Sequence, residues 1–524
     1  MKKISITITH LIRNIFVFFL AISLPMAFMT PNFKAIHIDG HYWLRVLGVL
    51  ASIALPYWLS QLHTYRRLKR FKLSTRPVIG LLILLFIWQL IIYLPLTLEP
   101  VWDPGVIMQN VTNPIGFFYF SWNYNNTLLL TIERLLYHLL VPGLFTSLPH
   151  ALLFANAIII DLAVFNMYLI GNRLKDRQLG TILFSLGLLF FGLSPWVLVF
   201  YSDTLGLYML TLLILIVCQL RRAHMYWQKL SLLLLYTIMA LIAYLLKPTT
   251  LIFSIAVILS MLIQAGRTNN LKQNFSRLFI GLLLFLTVFA VGAKYYHHYI
   301  YQDEKFYVSG QWRNLDPELR LPPTHFIAMG LKGIGGFNGR DAAESYQAKT
   351  YQARDQLNRR KIKQRLQQYG IVGYFNFLFV KHHNNVANGN FVWDGDRSFT
   401  FKNNPAHQSK LAQFSMSFNY SKGHARPIMR FLNQVTWIVL LVLTLLSAFT
   451  GRVKHSLVLQ SAQLAIVGQM IYLLIFEGGT TRYLFMWLPC FIICGYYGAL
   501  VLKNCAKLNL FPKKEKVAKL HISS

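Results

Sequence analysis

Charge is scarce in this chain. Of its 524 residues only 13% are charged, and acidic residues are scarcer still, with Asp and Glu together numbering 18. A soluble protein of this size carries about a quarter charged residues, so a soluble globular fold is excluded. Cysteine is nearly absent as well: Cys218, Cys490, Cys494 and Cys505 are the whole supply. On the topology below none of them falls in an outer loop, so no disulfide framework holds the exposed region. Strict apolar–polar alternation over about ten residues is missing, which removes a transmembrane β-barrel. There is no internal repeat, and no convincing small-residue cleavage site follows the basic N-terminus, so the first apolar run reads as a retained helix.

What is present is apolar bulk, 55% of the residues, and it falls in blocks. Runs such as Val78–Leu96, Ile182–Phe200, Leu205–Leu220, Leu278–Ala293 and Trp437–Phe449 are almost free of charge. At about 1.5 Å per residue each is long enough, or nearly so, to cross about 30 Å of hydrocarbon. The expected fold class is therefore an all-α polytopic membrane protein.

Basic residues set its orientation. The net charge of +33 invites a nucleic-acid partner, but much of that charge lies in short connectors between apolar runs. That is how the positive-inside rule is satisfied, and no nucleic acid is expected. Lys2, Lys3 and Arg13, then 65–72, 172–177, 221–222, 267–277, 452–455 and the tail from Lys503 all belong inside. Twelve spans meet these constraints, at 12–29, 45–62, 77–96, 149–170, 179–200, 204–220, 230–246, 249–265, 277–293, 429–449, 456–476 and 483–502. Both termini are then cytoplasmic in a multi-pass protein of the cell membrane. Residues 1–76 form two N-terminal spans, and 77–293 a membrane core with a first outer loop at 97–148. A large extracytoplasmic loop occupies 294–428, C-terminal spans 429–503, and a basic tail 504–524.

The outer features differ in texture. Leu128–Leu140 carries Glu133, Arg134 and His138 on an apolar background, as an interfacial helix does. In the large loop, Gly330 to Gly339 is glycine-rich without matching a nucleotide fingerprint, Ala342 to Gln368 reads as a polar helix, and 393–396 as a turn. The loop is too short and polar for an enzyme domain and reads as a lid.

Ionisable residues at membrane depth or at span mouths are expensive and default to functional candidates. Asp103 lies just past span three between Trp102 and Pro104; its bland reading is a solvated turn. Asp203 begins span six, where the bland reading is an N-cap. Lys247 breaks the positive-inside pattern at an outer edge, either snorkelling or meeting a phosphate. Glu477 and Arg482 flank a Gly-Gly-Thr-Thr turn, where a simple ion pair is the plain alternative. Asp161, near the middle of span four, is either a proton-relay group or a neutral hydrogen-bonded one. The pairs His297-His298 and His382-His383 diverge on a helix and lack carboxylates at ligand spacing, so no metal is expected.

Taken in order, Asp103 in the first outer loop, Tyr201-Ser202-Asp203-Thr204-Leu205, Leu246-Lys247-Pro248-Thr249 and Glu477…Arg482-Tyr483-Leu484-Phe485 resemble bacterial GT-C glycosyltransferases. These are relatives of the protein O-mannosyltransferases and lipid A aminoarabinose transferases. Asn388-Gly389-Asn390-Phe391-Val392-Trp393 is similar to members from bacterial envelopes, and residues 1–76 look like an addition before the usual first outer loop. The resemblance implies transfer of a sugar, with inversion, from a polyprenyl-phosphate donor to an envelope glycan, lipid or protein on the outer face. It implies Asp103 as general base, with Asp203 and Glu477 orienting groups and Lys247 and Arg482 holding the donor phosphate. No cofactor is expected. A transporter or flippase of a lipid-linked or polar solute, and an envelope polysaccharide polymerase or ligase, stand as alternatives.

Overall fold

A computed structural model describes residues 2–30, 54, 72–96, 98–267, 271–391, 399–401, 409–419, 423–451 and 456–507. The expected span at 45–62 apart from Ala54, the basic connector 65–72 except its last residue, the turn at 393–396, the connector 452–455 and the tail beyond 507 lie outside these residues.

Eighteen helices follow one another among the described residues: α1 (Lys2–Phe28), α2 (Thr75–Tyr93), α3 (Trp102–Gln109), α4 (Phe117–Trp122), α5 (Thr127–Leu140), α6 (Leu148–Leu174), α7 (Arg177–Gly187), α8 (Ser202–Arg222), α9 (Tyr226–Leu246), α10 (Leu251–Ala265), α11 (Leu271–His298), α12 (Pro323–Gly330), α13 (Gly339–Gln347), α14 (Tyr351–Val386), α15 (Lys410–Asn419), α16 (Arg426–Leu446), α17 (Leu457–Ile475) and α18 (Leu488–Lys507). Two small antiparallel pairs complete the fold, one joining Leu98–Pro100 to Phe399–Phe401 and the other Lys305–Val308 to Gln311–Asn314. Ten helices, α1, α2, α6, α8, α9, α10, α11, α16, α17 and α18, are long and apolar enough to cross a membrane. The all-α polytopic class is what the structure has.

Burial explains why these runs pack as they do. In α2 the inward residues Val78, Leu85, Gln89 and Ile92 recur at helical spacing, while Ile79, Ile83, Leu84 and Ile91 are left exposed for lipid. Close approach of α6 to α7 depends on glycine. A Cβ added at Gly171 would lie 2.5 Å from the backbone nitrogen of Gly180, the small-residue contact typical of helices packing in lipid.

One expected span does not form as a continuous helix. Instead of a rod over 179–200, α7 ends at Gly187, widens to a π-turn at Leu188–Gly192 and gives way to a 3-10 turn at Pro195–Leu198. Pro195 has no amide hydrogen to donate and disfavours the helical conformation in Ser194 before it. The freed carbonyls of Trp196 and Val197 accept from Asn156 Nδ2 of α6 at 2.8 and 2.9 Å. Irregular backbone among apolar helices is tolerated where protein satisfies it in this way.

The large loop also departs from expectation. The polar helix foreseen at 342–368 is two helices, α13 and α14, parted where Thr350 caps α14 by accepting from the Ala353 amide at 3.2 Å. Moreover α14 continues past 368 to Val386, bent at Gly370 (φ 56°). The amphipathic segment forms as foreseen, as α5.

Candidate active site at one end of the bundle

Asp103 sits in the first turn of α3. Its Oδ1 accepts from the Tyr119 hydroxyl at 2.8 Å and its Oδ2 from the Tyr201 hydroxyl at 2.9 Å. Asn126 Nδ2 in turn donates to the Tyr119 oxygen at 2.7 Å. Burial foremost, and then the Asp103 charge, push both phenols well above the usual tyrosine range, so they remain donors. A carboxylate has about four lone-pair sites, and two phenols leave room for a further proton donor. The residue is not a free turn carboxylate.

Tyr201 links Asp103 to its own neighbour in sequence. It is the residue before α8, and Asp203 lies in the first turn of that helix, fully buried. Rather than capping the helix, which Tyr201 does, Asp203 pairs through Oδ1 with Lys247 Nζ from the end of α9. Asp203 Oδ2 is buried and meets no hydrogen-bond partner among the described residues. Lys247 is therefore not snorkelling: its side chain is only 12% exposed.

From Lys247 the cluster runs to the α17–α18 turn. Its Nζ stands 5.7 Å from the centroid of the Tyr483 ring, and the Arg482 guanidinium 4.7 Å from the same ring, both cation–π distances. The Tyr483 hydroxyl donates to Glu477 Oε1 at 3.1 Å. Burial, with a contribution from Asp103, raises the Glu477 carboxyl above its ordinary value, while Arg482 and the Tyr483 bond oppose the shift. All five residues picked from the sequence thus meet in one cluster, joined through Tyr201 and Tyr483.

The glycine-rich segment lies on this turn. The Gly478 amide donates to the Gly335 carbonyl at 2.8 Å, and the Gly479 amide (φ 78°) to Asn385 Oδ1 at 2.6 Å. Lys381, buried on α14, donates to the carbonyls of Gly330 and Phe476 at 2.6 Å each and of Leu474 at 3.1 Å. Above Asp103, Phe337 meets the exposed Trp102 ring at 6.4 Å, and Tyr346 of α13 stacks on Trp122 at 3.9 Å. Burial first, and then the charges of Asp103 and Glu477, raise the Tyr346 phenol. The lid is tied within itself: Arg365 forks onto Asp341 at 2.7 and 2.8 Å, and His325 Nδ1 meets Ser345 Oγ at 2.9 Å.

Elsewhere the singled-out residues have ordinary partners. Asp161 Oδ1 accepts from Gln89 Nε2 of α2 at 3.0 Å, which favours the neighbour-bonded reading. His382 bonds Ser23 of α1 at 2.9 Å. Cys218, Cys490 and Cys494 are free and buried. Among the described residues no three His, Cys, Asp or Glu side chains converge as a metal site. Reasoning from sequence named Tyr201 and Tyr483 only as members of motifs and missed Tyr119, Tyr346 and Lys381. Lys381 alone left a signal, a cation directly after the apolar stretch 371–380.

Ten membrane-length apolar helices with a buried ionic cluster at one end define a polytopic helical integral membrane protein. The chain belongs to the family described as conserved hypothetical integral membrane protein, whose model matches residues 4–503. No curated protein and no solved structure matches the chain.

Proposed function

We propose that the protein is an outer-face membrane glycosyltransferase taking a sugar from a polyprenyl-phosphate donor. One observation carries the reading: Asp103, held by two phenols, shares a buried cluster with the cations Lys247 and Arg482. Group transfer from a lipid phosphate needs these two functions together. An acceptor hydroxyl attacks the anomeric carbon, and its proton passes to the Asp103 carboxylate. The bond from that carbon to the phosphate oxygen breaks, its electron pair stays on the phosphate, and Lys247 and Arg482 offset the charge that develops there. Direct displacement inverts the sugar. Asp203 and Glu477 orient the cations, Asp203 directly and Glu477 through Tyr483. The acceptor is an envelope glycan, lipid or protein, and the site faces outward with both termini in the cytoplasm of a cell-membrane protein.

The test is acceptor-dependent release of polyprenyl phosphate. Purified protein in liposomes is given labelled polyprenyl-phosphate sugars with envelope acceptor. Release of free polyprenyl phosphate only when acceptor is present supports transfer. Movement of label across the bilayer without release supports a transporter or flippase instead.

A further inference from the structure

Helix α14 changes character at Gly370. Before it, Arg359, Arg360 and Lys363 are exposed; after it, Ile371, Val372, Phe375, Phe379 and Val380 are exposed at 80%, 83%, 67%, 55% and 44%. Ile371, Val372, Phe375 and Phe379 share one face of the helix and form an apolar stripe flanked by Val380 and the exposed Asn376, while Phe377, Lys381 and Asn385 on the other side are buried. Gly370 has a positive φ, 56°, that lets the two halves take different directions.

Hydrogen bonds fix the level of this half-helix along the bundle. At the far end, Arg267, just past α10, donates to Ser5 at 3.2 Å and bonds Thr9 of α1. At the site end, His382 bonds Ser23 of α1. Ser23 lies five residues before the end of α1 at Phe28, a rise of about 8 Å, so it belongs to the last turns of that span at the site end. Two further ties agree. Lys381 bonds the carbonyls of Leu474 and Phe476 where the 19-residue α17 ends. Gln434 Nε2 of α16 donates to both Ala387 and Ala27 at 2.8 Å, joining the end of α14 to the end of α1.

We infer that residues 371–386 are an interfacial helix seated in the acyl-chain border of the leaflet at the site end, its stripe covered by lipid. A stripe of that area is costly in water and has a natural cover at this depth. The exposed cations before Gly370 then stand at the anionic headgroups. The seating has a consequence for the lid. Lys381, on the opposite face, grips Gly330 and the carbonyls before Glu477, so the bilayer positions the glycine-rich segment and the 477–482 turn together. The inference stands independently of the reaction proposed for the site.

Spin labels at Phe375→Cys, Val372→Cys and, in the polar half, Gln356→Cys test it in full-length protein in phosphatidylcholine–phosphatidylglycerol liposomes. Wild type reports labelling of native cysteines. The side chains replaced are exposed, so the fold is retained. Collisions with oxygen are expected to exceed those with a water-soluble nickel chelate at 372 and 375, with the order inverted at 356. Nickel access at 372 and 375 matching that at 356 overturns the proposal. So does exclusion of both reagents, which means that a protein surface, such as a second copy, covers the stripe.

Discussion

Two carboxylates within the bundle differ in how they are held. Asp161 lies midway along α6 and accepts one bond from the Gln89 amide, which also donates to the Gly192 carbonyl at 2.9 Å. It joins α2, α6 and the π-turn, and no cation pairs with it among the described residues. Asp203, by contrast, is paired with Lys247 and keeps one oxygen without a partner, two residues from the tyrosine that holds Asp103. A polar group whose bonds end on neighbouring helices serves packing. A cluster of both charge signs, with an acceptor atom left over among the described residues, is what the proposed donor site calls for.

The contrast is sharpest at Lys247. Replacing it by Ala leaves Asp203 buried without its cation, a change that costs about 3–5 kcal/mol. Thermal unfolding in detergent is expected to show the loss. Adding Asp203→Asn should restore most of the stability without restoring transfer, which separates folding from function.

Next in size is a pH effect confined to the lid. Burial first, with Lys361 and Arg354 adding to it and Asp341 opposing, lowers His325 from its usual range to about 4. The unfolded lid therefore binds the proton more readily than the folded one between about 4 and about 6.5. Stability is complete above that window and falls as pH drops through it, by at most about 1.4 kcal/mol per unit. Hydrogen-exchange protection, relative to the intrinsic rate at each pH, should fall in α12 and α13 near pH 5 and not in α6 or α8. An even response across the chain would contradict a local cause.

Comparable in size is Tyr201→Phe, which removes one charge-assisted bond to Asp103, about 1.5–3 kcal/mol. Transfer per folded protein should fall, and the unfolding temperature should drop by less than in Lys247→Ala. At the bottom of the scale, Asp161→Asn keeps an acceptor oxygen for Gln89, and stability should stay within about 1 kcal/mol of wild type.

Much of this was legible in the sequence, for identifiable reasons. Membrane spans announce themselves because lipid demands long apolar runs, and Asp103, Asp203, Lys247, Glu477 and Arg482 stood out because charge is scarce beside them. Their meeting was not legible. It runs through Tyr201 and Tyr483, and with 27 tyrosines and 39 phenylalanines in the chain no single aromatic carries a signal. The break near Pro195 was hidden for a different reason: its compensation comes from Asn156, on another helix. The continuation of α14 was masked by its polar first half.

The most direct measurement sets Asp103→Asn beside Asp161→Asn, at matched expression in purified membranes, on transfer from polyprenyl-phosphate sugars to envelope acceptor. The same chemical change is made at the two contrasted places. Loss of a general base predicts a fall of about 10²–10⁴-fold for Asp103→Asn, with Asp161→Asn near wild type. Full transfer in Asp103→Asn together with loss in Asp161→Asn would contradict the account and move the working carboxylate to the middle of the bundle.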